Sequence, residues 1–175
     1  KATSAVIGAN DDVSMPRGST HTDWEVELGV VLGKTAKYVS KEEALNYVAG
    51  YCVINDVSER YFQNHLTGQW TKGKSCDTFG PIGPWLVTRD EVSDPQNLSM
   101  SLDVNGHRMQ TGNTSTMIFT VAEIIEHLSS LMSLHAGDVI STGTPPGVGM
   151  GIKPKPIYLK RGDFMELTVQ GLGMQ

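Results

Sequence analysis

The stretch Asp23-Trp24-Glu25-Val26-Glu27-Leu28-Gly29-Val30-Val31-Leu32 decides how this chain is read. Its first half alternates acidic and apolar residues with period two, as a strand with one covered face does. Its second half is apolar on both faces, as a strand between two layers is. Glu25 and Glu27 then lie on one face of the strand. Like charges so placed repel, and unpaired charge beside a covered region is costly, so a hard divalent cation that gathers both with a third acid relieves the conflict. The third is Asp56 in Ile54-Asn55-Asp56-Val57-Ser58-Glu59-Arg60. Plainer readings stand beside this one. The pair also fits the wet face of a half-exposed strand, and Asp56 fits the N-cap of a helix over residues 57–63 with Glu59 at N3.

Working outward, residues 47–54 predict a second buried strand, entered from a short helix whose Ser40 and Glu43 have capping-box spacing. Asn105-Gly106 between two apolar runs predicts a hairpin with a type I′ turn. Thr120 and Glu123 open the clearest helix, with Val121, Ile124, Ile125, Leu128, Leu131 and Met132 at helical spacing and Gly137 as its stop. Short strands are expected at 85–88, 98–104 and 138–142. A final pair, 157–159 with 164–169, is expected to fold about Arg161-Gly162-Asp163. The pattern is that of one mixed α+β, β-rich domain over residues 1–175 with a few short helices, and not a βαβ array.

Composition excludes several functions. A net charge of -5 over 175 residues leaves no cationic field for nucleic acid. Lys153, Lys155, Lys160 and Arg161 read as a solvated loop. No apolar run of about 20 residues spans a membrane, and no secretory signal opens the chain, so a cytoplasmic location is expected. Cys52 and Cys76 are expected as free thiols. The sequence opens at Lys1 without an initiator methionine, and further residues upstream are expected.

Gly68-Gln69-Trp70-Thr71-Lys72-Gly73-Lys74-Ser75 matches the P-loop expression, yet a P-loop leaves a strand and enters a helix, and neither context is present. A lysine beside a carboxylate-bound metal has a better use, as a point charge on an enolate or a substrate carboxylate. The loop Gly143-Thr144-Pro145-Pro146-Gly147-Val148-Gly149 offers backbone N–H groups and the Thr144 hydroxyl to an anion, or is simply a tight turn. None of the five histidines has metal-pair spacing, and there is no G-x-S-x-G.

Together, 23–28, 55–63, Gly73-Lys74-Ser75 with Gly80-Pro81, and 143–149 resemble the fumarylacetoacetate hydrolase family, in its order and spacing over nearly the whole chain. The resemblance implies the family's mixed β-roll and a homodimer or higher homo-oligomer. It also implies a Mg²⁺ centre, with Mn²⁺ possible, on Glu25, Glu27 and Asp56. Lys74 falls on the catalytic lysine. Arg60, Gln63, Lys74 and Thr144 fall on positions that contact the substrate, a small 2-oxo or 2,4-dioxo acid. A lid carrying the family's His and Glu precedes the E-x-E strand by more residues than are present here, so the general base is expected outside them. Within the family, Gln69 to Pro81 and Gly83 to Thr88 look most like bacterial 2,4-diketo-3-deoxy-L-rhamnonate and L-fuconate hydrolases, which release pyruvate and a hydroxy acid such as lactate. Acylpyruvate hydrolysis and oxaloacetate decarboxylation need the same metal-held 2-oxo acid. A module that binds a keto acid without turnover is the reading of another class.

Overall fold

Two long antiparallel strands form the middle of the computed structural model, which describes residues 1–175. The largest sheet runs β1 (Val6–Gly8), β6 (Gly80–Ile82), β4 (Val48–Asn55), β3 (Val26–Leu32), β10 (Val139–Ser141), with β7 (Val87–Thr88) also on β4. Only β1 and β6 pair in parallel. A three-stranded antiparallel sheet is ordered β11 (Met165–Val169), β8 (Ser99–Val104), β9 (His107–Asn113), and β2 (Thr22–Asp23) pairs with β5 (Ser58–Glu59). The helices are short: α1 (Lys41–Ala44), α2 (Arg60–Asn64) and α3 (Thr71–Lys74), with α4 (Val121–Leu131) the longest. None is long and apolar enough to cross a membrane.

The deciding stretch forms its strand from Val26 and not from Trp24, and Glu25 and Glu27 are buried too, so neither face is wet. Val26, Leu28, Val30 and Leu32 are all buried and join side chains from β4, β8, β11 and α4 in one apolar cluster. Because a single cluster spans both larger sheets, the fold is mixed α+β around one core. Asn105 and Gly106 take positive φ angles of 52° and 76°, as a type I′ turn requires, and join β8 to β9. At the start of α4, Thr120 Oγ1 accepts from Glu123 N, while a Glu123 carboxylate oxygen accepts from Thr120 N at 2.7 Å, closing the capping box.

Four local expectations are corrected. Ser40 caps α1 by position but makes no side-chain capping bond. Residues 157–159 form no strand. Leu159 N donates to Thr22 O instead, and β11 pairs with β8 from Met165↔Val104 to Val169↔Met100, which sends Leu167 and Val169 into the core. Of 85–88, only Val87 and Thr88 pair. Asp56 is not the N-cap of α2: Glu59 is, its side chain accepting from Tyr61 N. The extra pairing of β5 with β2, Thr22↔Glu59, delays the helix by that distance. Lys74 closes α3, which follows another helix and not a strand, so the P-loop match has no P-loop structure. Both cysteines are free.

Two measurements test this packing. A Cβ on Gly50 would stand 2.2 Å from Val87 O, where β7 crosses close to β4. Gly50→Ala is expected to cost about 2 kcal/mol, read as a lower urea midpoint at unchanged slope. The Glu123 carboxyl is held down at about 2, first by its hydrogen bond from Lys41 and then by Thr120. A depressed carboxyl stabilises the fold above its unfolded value and loses that contribution as pH falls through the folded value. Glu123→Gln should therefore melt below the parent at pH 6, with the difference closing as pH approaches 2.

Candidate metal centre

Antiparallel register builds the site. Val26 lies opposite Asn55 and Glu27 opposite Ile54, so the chain leaving β4 carries Asp56 beside Glu25. Asp56 N donates to Glu25 O at 2.9 Å, and Glu25 N donates to Asn55 Oδ1 at 3.1 Å. On the other side of β3, Ser141 of β10 pairs with Gly29. That brings the Ser141 hydroxyl and the Gly143 N–H, at 3.0 Å, onto Glu27 Oε2. The three predicted acids thus converge, with carboxylate oxygens within 4.8 Å of one another.

Cations answer this charge unevenly. Arg60 reaches Glu25 through Nη1 at 2.6 Å and Asp23 through Nε at 2.8 Å. Lys74 Nζ lies 2.7 Å from Glu25 and 2.5 Å from Asp56. Lys1 Nζ lies 2.7 Å from the other Asp56 oxygen. Burial favours a neutral Asp56, but Lys1 and Lys74 outweigh it and hold the carboxyl below its ordinary value. Lys74 is raised in turn, since Glu25 and Asp56 overcome its desolvation. Glu27 has no basic partner. Burial first, then the charges of Asp56 and Glu25, push it up to about 8.

These residues fit a hard divalent ion. Mg²⁺ bonds of about 2.1 Å put octahedral oxygens roughly 3 Å apart when adjacent and roughly 4.2 Å apart when opposite, within reach of this cluster. The donors are all carboxylate oxygens, the type such ions take. The acid without a cation, Glu27, is the one an ion would satisfy. A cavity of about 440 Å³ opens over the cluster, lined also by Arg60, Gln63, Lys74, Ser141, Gly143 and Thr144. A larger cavity, about 660 Å³, lies between residues 9–15 and 159–167, and none of the predicted site residues lines it.

The remaining predicted residues are placed as follows. Gln63 Oε1 accepts from Arg60 Nη1 at 3.1 Å. Thr144 lines the cavity, but its hydroxyl donates to Val26 O at 2.9 Å and accepts from Gln110 Nε2 at 2.8 Å, so the hydrogen expected for a substrate is spent on the protein. Sequence reading missed Lys1, Asp23 and Ser141. Asp23, fully buried, accepts from Arg60 Nε and from the N–H groups of Trp24, Gly149 and Met150. Its place in the quoted stretch was the available signal; for Lys1 there was none.

The site and fold define a β-rich domain organised around a carboxylate cluster suited to a divalent cation. The profile of the fumarylacetoacetate (FAA) hydrolase C-terminal family matches residues 1–175, and the chain belongs to that family. A Burkholderia lata protein named "putative hydrolase" is 64% identical over the whole chain, which spans 62% of that protein's length. The structure of a fumarylacetoacetate hydrolase from Exiguobacterium antarcticum superposes with a TM-score of 0.95 at 40% identity, over 99% of this chain and 62% of that one. A maleylpyruvate hydrolase from Sphingobium sp. SYK-6, solved with manganese(II) and pyruvate, gives 0.85 at 34% identity, over 98% and 59%.

Asp23→Asn keeps the side chain's volume and removes its charge, leaving the buried Arg60 guanidinium short of one partner. The variant is expected to lose about 3 kcal/mol in chemical denaturation, as broken buried pairs do. Parental stability would show that the pair contributes nothing net.

Proposed function

We propose that this protein is a divalent-metal-dependent hydrolase that cleaves the carbon-carbon bond of a 2,4-diketo-3-deoxy sugar acid, releasing pyruvate and a hydroxy acid such as lactate. One observation carries the reading: Glu25, Glu27 and Asp56 meet a lysine ammonium in one polar cavity. Such a pairing suits a 2-oxo acid, whose carboxylate and carbonyl oxygens ask for a hard cation and a positive charge at once. Support comes from the related maleylpyruvate hydrolase, which holds manganese and pyruvate, and from the 69–88 segment with its resemblance to sugar-acid hydrolases.

Glu25, Glu27 and Asp56 would hold Mg²⁺ or Mn²⁺. When bound, the ion supplies Lewis acidity toward the 2-oxo end of the substrate. The reaction itself adds water at C4 and breaks the C3–C4 bond. The bonding pair stays on C3 as the pyruvate enolate, which a proton then converts to pyruvate. Lys74 places an ammonium where that negative charge develops, and so favours the transition state over the ground state. Arg60, fixed by Asp23 and Glu25, and Gln63 orient the carboxylate end. Ser141 and Gly143 hold Glu27 in its rotamer.

The test is pyruvate release by the intact protein from 2,4-diketo-3-deoxy-L-rhamnonate or L-fuconate. Release with Mg²⁺ or Mn²⁺ should stop with EDTA and return when metal is restored. Asp56→Asn should lower kcat/KM by about 100-fold or more. Metal-dependent release from oxaloacetate or an acylpyruvate alone would move the assignment to those shorter substrates. Keto-acid binding without turnover would leave a binding module.

A further inference from the structure

Asp56 is gripped by two ammonium groups, one on each oxygen, and the two are held very differently. Lys1 Nζ lies 2.7 Å from Asp56 Oδ1 and also 3.0 Å from Val57 O, 2.5 Å from Lys74 O and 2.7 Å from Phe79 O. An ammonium has three hydrogens, and here four oxygens from three separate segments surround it. No donor is left over, and main-chain carbonyls fix its position. Lys1 does not line the cavity.

Lys74 is the opposite case. Its Nζ has two partners, Glu25 Oε2 at 2.7 Å and Asp56 Oδ2 at 2.5 Å, and both belong to the carboxylate cluster. It does line the cavity. A cation that draws on Glu25 and Asp56 competes with Lys74 for the same oxygens, whereas Asp56 Oδ1 stays with Lys1.

We propose that the two lysines divide the handling of Asp56. Lys1 is a fixed positioning residue that holds Oδ1, while Lys74 occupies Oδ2 only until a divalent ion enters and then turns its ammonium to the substrate. Because Lys1 also binds the Lys74 carbonyl, it fixes the pivot from which that side chain swings. The inference rests on the metal-centre reading above and goes beyond it in giving Lys1 a role and Lys74 two positions.

The experiment is a Mn²⁺ titration of the intact protein, followed by the EPR signal of free Mn²⁺, with Lys1→Met, Lys1→Arg and Lys74→Met compared well below their unfolding midpoints. Lys1→Met should weaken Mn²⁺ binding about tenfold, the loss typical of a removed outer partner of a ligand. Lys1→Arg, which keeps the charge and folds if Met does not, should fall between Met and the parent. Lys74→Met should bind Mn²⁺ more tightly than the parent while losing turnover. A purely structural Lys1 would lower the melting temperature and leave the Mn²⁺ dissociation constant unchanged, and that result overturns the proposal. So does a Lys74→Met protein that binds no more tightly than the parent. If the parent binds no Mn²⁺, or Asp56→Asn binds it equally well, the metal centre itself is wrong and the division of labour falls with it.

Discussion

Five carboxylates, Asp23, Glu25, Glu27, Asp56 and Glu59, are largely withdrawn from water in one region of this molecule, and answering their charge is the constraint on which the rest depends. Each ionised acid taken from water costs several kcal/mol, on the order of the whole net stability of a domain, unless partners repay it. Glu59 is repaid without a cation, by the N–H groups of His21 and Tyr61 and the hydroxyls of Ser19 and Thr22. Asp23 and Glu25 share Arg60, and Glu25 and Asp56 share Lys74, with Lys1 added. Five acids therefore face three bases. With Glu59 already satisfied, Glu27 is the one acid left without a base, and burial together with the charges of Asp56 and Glu25 pushes it up to about 8.

Close packing delivers the cations to that cluster. A Cβ on Gly73 would lie 2.5 Å from Glu59 O and 2.6 Å from Gln63 Cβ. The bare glycine lets the turn of α3 sit directly on β5 and α2, and so brings Lys74 to Glu25 and Asp56. The same Gly-Lys-Ser letters that in a P-loop let main-chain amides approach phosphate here let one helical turn approach another. A pattern of letters has chemical meaning only through the elements around it, here the short helix α2 before it and the single turn α3 that contains its Gly73 and Lys74.

What could be read from the sequence follows from how local each cause is. Period-two alternation running into an apolar segment exposed both the central strand and the pairing of Glu25 with Glu27. Capping residues and apolar spacing exposed α4, and Asn105-Gly106 exposed the hairpin. The misses came from distant partners. The segment 164–169 was correctly strand-like, but its mate is β8, some 60 residues back, because that pairing buries Leu167 and Val169. Lys1 was invisible because three of its four partners are the backbone carbonyls of residues 57, 74 and 79, and a carbonyl leaves no trace in composition or spacing. Asp56 was found as a ligand candidate and misplaced as a cap, since the brief β5 ladder passes the cap to Glu59.

The loop after β10 shows how a locally sound reading changes once the neighbours are known. Its glycines and Thr144 have the makings of an anion site for a ligand. In the folded chain the anions are the protein's own: Gly143 N–H goes to Glu27, while Gly149 and Met150 N–H go to Asp23. The Thr144 hydroxyl is tied to Val26 O and Gln110. A buried carboxylate accepting such bonds is repaid in the way a bound substrate anion would be. The loop therefore acts first as a brace that keeps two acids in place from the side opposite the lysines. Lys74 differs from these braces in facing the cavity: two of its three ammonium hydrogens lie on Glu25 and Asp56, carboxylates of the cluster itself, and the third is uncommitted.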